Sequence, residues 1–287
     1  MTRWLRGHPI SGFLLLTFVA SYLIGTPILM AYSAWAPAQP PMLRTYFSRT
    51  LIVYGPGVAS LLMTFMFCGR EGILILLKRL MPRASDMPWA LLILLVGFGG
   101  AAIALKGAGA STSQLEEAMR TAGGLLIGHF ALQVLIISIG EELGWRGWLL
   151  PRLLERATRL RATIFVGVAW ALWHGPLLFS SVSTTVLLLC TSLGVSIIFT
   201  WLWSHSGERL FLVLLAHAAV NTPIFFWEDF TKKQGWDTGT APSAWYILEW
   251  MYALAGCGLV LLNRRWWLQR VQGAKPNSPR PQLDCAV

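Results

Sequence analysis

The run ATIFVGVAWALWHGPLLFSSVSTTVLLLCTSLGVSIIFTWLWSHSG, Ala162 to Gly207, contains no Asp, Glu, Lys or Arg in 46 residues. A membrane span needs only about 20 apolar residues, at 1.5 Å of rise each. This run is too long for one helix and long enough for two. Gly175 to Thr185, with Pro176 and several Ser and Thr, is its natural turn. The rest of the chain repeats the pattern. Charge-free stretches cover Gly7–Leu43, Thr50–Gly69, Met87–Leu105, Thr121–Gly140 and Leu210–Trp227, and Ala244–Asn263 is interrupted only by Glu249. Eight spans are expected, near 10–31, 50–68, 88–106, 122–150, 162–179, 184–204, 209–227 and 244–263. With 55% hydrophobic and 13% charged residues in 287, a water-soluble fold is ruled out. The expected fold class is an all-α polytopic bundle. It divides into three helices over 1–121, a core over 122–227, and a last helix with a basic tail over 228–287.

The net charge of +10 raises nucleic acid as a partner, and the placement of the charge removes it. With the amino terminus in the cytoplasm, 16 of the 23 Lys and Arg fall on the cytoplasmic side, from Arg3 and Arg6 through Arg152–Arg161 to Arg280, and 6 on the other. The remaining one, Arg146, lies within a span. The positive-inside rule is met, so the basicity reads as topology and contact with anionic lipid. Both termini are expected in the cytoplasm of a cell-membrane protein. The first apolar stretch exceeds the length of a signal h-region and reads as a retained anchor. The four cysteines have no metal-ligand spacing.

Ionisable groups inside spans are costly and are functional candidates by default. Here they are Glu141 and Glu142, Arg146 four residues further on, His174, and His217 with Asn221. Residues four apart share a helix face, so Glu142 can pair with Arg146, and His217 and Asn221 can address one target. If the fourth helix runs on to Leu150, Glu141, His174 and His217 lie about 14, 18 and 12 Å from the cytoplasmic ends of their helices. Three separate segments then converge at one depth. Pro176 and Pro223 each remove a backbone donor nearby, which favours a hydrated cavity on the cytoplasmic side. Gly140, Gly144 and Gly147 leave room for another helix or a substrate backbone. Against this, a Glu–Arg pair can be mere glue and a single buried histidine is usually a core residue. His129 reads as structural, and Glu249 as a residue that snorkels to the outer interface.

Glu141-Glu142-Leu-Gly-Trp-Arg146 resembles the EExxxR motif, Trp170-Ala-Leu-Trp-His174 the FxxxH motif, and His217-Ala-Ala-Val-Asn221 the HxxxN motif of the CAAX protease and bacteriocin-processing (CPBP, or Abi) family of intramembrane endopeptidases. The likeness covers roughly Gly123 to Trp227. Trp170 stands where that pattern usually has Phe, which should affect only pocket shape. The resemblance implies hydrolysis of a peptide bond in a membrane-associated protein or peptide. Glu141 would act as base on a water, His174 would orient it or carry its proton, His217 and Asn221 would stabilise the oxyanion, and Arg146 would keep Glu142 ionised. Glu141, His174 and His217 also form a candidate two-His, one-carboxylate set for Zn²⁺. No HExxH helix demands a metal, and the metal-free scheme is slightly favoured. A non-catalytic immunity or scaffold protein of the same family and a proton-coupled transporter are the alternatives.

Overall fold

The computed structural model describes residues 2–35, 41–236 and 239–271. The basic tail from residue 272, with Lys275 and Arg280, lies outside the described residues. The described residues are mostly helical, and the one β contact among them is an isolated bridge between Thr158 and Arg270. Among the described residues seven helices are long and apolar enough to cross a membrane. They are α1 (Pro9–Ile28), α2 (Met42–Lys78), α3 (Ala84–Gly107), α4 (Gly123–Leu154), α6 (Val182–His205), α7 (Leu210–Gln234) and α8 (Thr240–Leu262). This is an all-α integral membrane protein, as the charge-free runs indicated.

The fifth expected segment, 162–179, departs from expectation. It forms a 15-residue helix, α5 (Arg159–Trp173), followed by a 3-10 turn over Gly175–Phe179. At 1.5 Å per residue α5 reaches only about 22 Å, short of the roughly 30 Å hydrocarbon core. The cause is local. Thr158 caps the start by accepting from Arg161 N, and Gly175-Pro176 supplies neither helix propensity nor a second donor at the end. His174 therefore sits at the C-cap of a short helix. The other boundaries also follow from sequence chemistry. Ser181 caps α6 by accepting from Thr184 N at 3.1 Å, and Gly235, at φ 66°, closes α7. Gly69, at φ 60°, kinks α2 where the charge-free run ends.

The helix α7 is the hub. Of its apolar window 72% is buried, against 17% for α8, and it packs on α3 and α4 while α4 also packs on α2. A second layer sets α6 between α5 and α8. Backbones touch at Gly194 and Gly256 there, since a Cβ on Gly256 would come within 2.7 Å of Gly194 Cα.

Candidate active site

The helix α4 is the most irregular of the eight and carries the glutamates. Its α-helical turn Ile139–Gly144 is flanked by π-helical segments, Gln133–Ser138 before it and Trp145–Leu149 after it. Such bulges insert an extra residue into a helix and gather at functional sites. Eight regular α-helical residues would leave Gln133 and Glu141 about 80° apart; one inserted residue reduces this to about 20°. Both side chains accordingly line the same cavity. The helix continues through Arg146 to Leu154, so the glutamates are buried in the bundle and not at its surface.

The glycines around the glutamates serve a neighbouring helix. A Cβ on Gly140 would lie 2.7 Å from Val53 O, and one on Gly144 2.6 Å from Pro56 O. The backbone of α4 thus rests directly on α2.

Glu142 is fully buried, and both its oxygens receive Arg146 NH1, at 2.9 and 3.0 Å. Arg146, also fully buried, lies over the rings of Trp170 at 4.8 Å and Phe199 at 5.0 Å. Those faces compensate a guanidinium whose Nε and NH2 have no hydrogen-bond partner. His217 Nδ1 stands 2.7 Å from Glu142 Oε1. Because the carboxylate only accepts, Nδ1 carries a proton, and neutral His217 is left with Nε2 as an acceptor. His174 is set in the same way, with Nδ1 2.9 Å from the carbonyl of Trp170. Glu141 Oε2 accepts from Trp170 Nε1 at 2.6 Å. Asn221 Nδ2 donates toward Gln133 Oε1 at 3.5 Å. The wall behind His174 is fixed by Trp173, whose Nε1 donates to Ser21 Oγ at 2.9 Å while its carbonyl accepts from Tyr22.

Glu141, His174, His217 and Asn221 line one cavity of about 700 Å³, whereas Glu142 and Arg146 stand behind it. The six expected residues are thus brought together from α4, the end of α5, and α7. Two expectations are corrected. The cavity does not lie toward the arginine-rich end; it runs to Arg49, Glu228 and Trp245 at the opposite helix ends. Glu249 lines this cavity and does not snorkel, because α8 turns that face inward. Among the described residues no group of three or more His, Cys, Asp and Glu is arranged to hold a metal ion. Glu141, His174 and His217 line the same cavity, and each histidine is held through Nδ1 with its Nε2 left toward that space.

Two neighbours escaped the sequence reading. Trp170 is more than an aromatic replacement for Phe, since its indole N–H bonds the Glu141 carboxylate; the signal was the donor that Trp has and Phe lacks. Gln133 was hidden because only the π bulge turns it onto the face of Glu141. It was nonetheless the one amide in the run Thr121–Gly140.

Residues 123–223 match the model of the type II CAAX prenyl endopeptidase Rce1-like family. Over 99 residues the chain is 29% identical to CAAX prenyl protease 2 of Methanococcus maripaludis, an alignment covering 31% of this chain and 36% of that protein. The chain thus spans about a third of the length of the curated relative it matches. The matched segment, similar to that family, contains Glu141, Glu142, Arg146, His174, His217 and Asn221.

Proposed function

We propose that this chain is an intramembrane endopeptidase that hydrolyses a peptide bond of a membrane-associated protein or peptide. The observation that carries the reading is the convergence of Glu141, His174, His217 and Asn221, from three chain segments, on one cavity. Glu141, steadied by the Trp170 N–H, takes a proton from water as the oxygen attacks the scissile carbonyl. His174 Nε2 relays that proton to the leaving amine. Asn221 N–H stabilises the oxyanion, a contribution of about 3 kcal/mol for one donor. His217 donates to that oxyanion only as an imidazolium, because its Nδ1–H is held by Glu142; neutral His217 accepts from the water instead. Arg146 holds the Glu142 carboxylate in place, which keeps His217 aligned. No step requires a metal. The protein sits in the cell membrane with both termini cytoplasmic and its arginine-rich face on anionic lipid.

Purified protein in detergent, given a farnesylated peptide ending in a CAAX box, should release the terminal peptide. Glu141→Ala and His174→Ala should abolish release, and a strong chelator should leave it unchanged. Full turnover by either variant overturns the reading, and loss of turnover on chelation overturns its metal-free form. Glu249 and Arg49, lining the far part of the cavity, favour proton-coupled transport as a second reading. It requires dissipation of an imposed pH gradient in proteoliposomes that Glu249→Gln prevents.

A further inference from the structure

A second polar cluster in the bundle takes no part in the scheme above. Asp229, near the end of α7, stands 3.4 Å from His129 Nε2, and His129 Nδ1 stands 3.0 Å from the hydroxyl of Tyr46. The Tyr46 hydroxyl also comes within interaction range of the Gln133 side chain, which meets Asn221 at 3.5 Å. Tyr46, His129 and Gln133 are each 2% exposed or less, and the Asp229 side chain 18%. The chain of contacts leads from the rim of the bundle to the amide lining the cavity.

The donors and acceptors fix its direction. A carboxylate accepts, so neutral His129 carries its proton on Nε2 and presents a lone pair at Nδ1. Tyr46 then donates to His129, which leaves its oxygen to accept from the Gln133 amide nitrogen. Gln133 consequently turns its carbonyl toward Asn221 and can only be met by the Asn221 NH₂ group. Every group in the line has one role that satisfies its neighbour. Removing the Gln133 carbonyl would let the Asn221 amide flip, presenting its oxygen where its nitrogen had been.

We propose that Gln133, held by Tyr46, His129 and Asp229, is a positioning residue that sets the orientation of the Asn221 amide toward the substrate. This rests on the endopeptidase reading for its consequence in turnover, and on the hydrogen-bond line alone for its geometry. The test is a double-mutant cycle on the farnesylated CAAX peptide. Gln133→Met keeps chain length and apolar volume. It should lower kcat about tenfold with KM little changed, and should add nothing in an Asn221→Ala background. Tyr46→Phe, which leaves every cavity group in place, should lower kcat about threefold and likewise add nothing to Asn221→Ala. Equal losses in both backgrounds, or an unchanged kcat in Gln133→Met, overturn the proposal. A second measurement does not depend on turnover. In bilayer-reconstituted protein labelled with ¹⁵N-histidine, the signal assigned to His129 by its loss in His129→Gln should report an Nε2–H tautomer; an Nδ1–H tautomer overturns it. If wild type and all variants leave the peptide intact, the endopeptidase reading on that substrate fails, and the tautomer decides the hydrogen-bond line by itself.

Discussion

Two carboxylate–arginine pairs buried among the described residues, Asp86–Arg209 and Glu142–Arg146, differ in what is left over. Asp86 and Arg209 join the start of α3 to the start of α7. Arg209 Nε and NH2 reach the two Asp86 oxygens at 2.9 and 2.5 Å, and NH2 also donates to Met81 O at 2.7 Å. Arg83 N donates to Asp86 Oδ2 at 2.9 Å as well. This is a parallel fork with both carboxylate oxygens engaged. Glu142 and Arg146 are more deeply buried yet less well matched, with one guanidinium nitrogen on both oxygens, two nitrogens unpartnered, and His217 on Glu142. A saturated pair can only hold helices together. A pair with unspent capacity beside a cavity can hold and tune a reactive side chain.

The largest expected effects separate the two pairs. Glu142→Ala should reduce kcat at least 100-fold, because His217 loses the acceptor that fixes its ring. Asp86→Ala should instead cost about 3–5 kcal/mol of stability by leaving Arg209 buried and unpaired, while the folded fraction retains its kcat. Thermal midpoints in detergent and turnover per folded molecule measure both. A loss of kcat in Asp86→Ala, with an unaltered one in Glu142→Ala, would remove the distinction.

Sequence exposed these regions unequally. The charge-free runs sufficed for the all-α class and for seven crossing helices, because hydrocarbon leaves the backbone few other options. They overstated the fifth segment, where Gly175-Pro176 ends α5 at Trp173 although the side chains remain apolar. Glu141, Glu142 and Arg146 were legible as charges where charge is expensive. Asp86–Arg209 was not, because each partner stands at a helix end where charge is ordinary, 123 residues from the other. Neither the cavity's direction nor the inward face of Glu249 could be read, since both depend on how α8 rotates against α3 and α6.

Trp170 refines the comparison within the active region. Its indole N–H is the hydrogen-bond partner of Glu141 at 2.6 Å, and Trp170→Phe keeps the aromatic face under Arg146 while deleting that donor. A hydrogen bond to a charged group contributes about 1.5–3 kcal/mol, so kcat should fall between about 10- and 100-fold. The thermal midpoint should move little, as Phe still fills most of the space. An unchanged kcat would return Trp170 to a packing role, the one its aromatic character alone suggested.

The smallest effect comes from the pair with as short a contact as any. Lys232 Nζ lies 2.5 Å from Glu228 Oε1, one turn apart on α7, with side chains 57% and 46% exposed. Water and counter-ions already solvate both groups in the unpaired state, and ordering two long side chains offsets the attraction. Lys232→Ala should therefore change stability by less than about 0.5 kcal/mol and leave kcat as it is, measured in the same midpoint and turnover assays. Distance does not rank these three pairs, since Asp86–Arg209 and Glu228–Lys232 share the same closest approach. Burial ranks them, and what each partner has left to bond decides whether the buried ones act in structure or in chemistry. A drop in stability for Lys232→Ala approaching that for Asp86→Ala would show that contact distance, and not burial, sets the order.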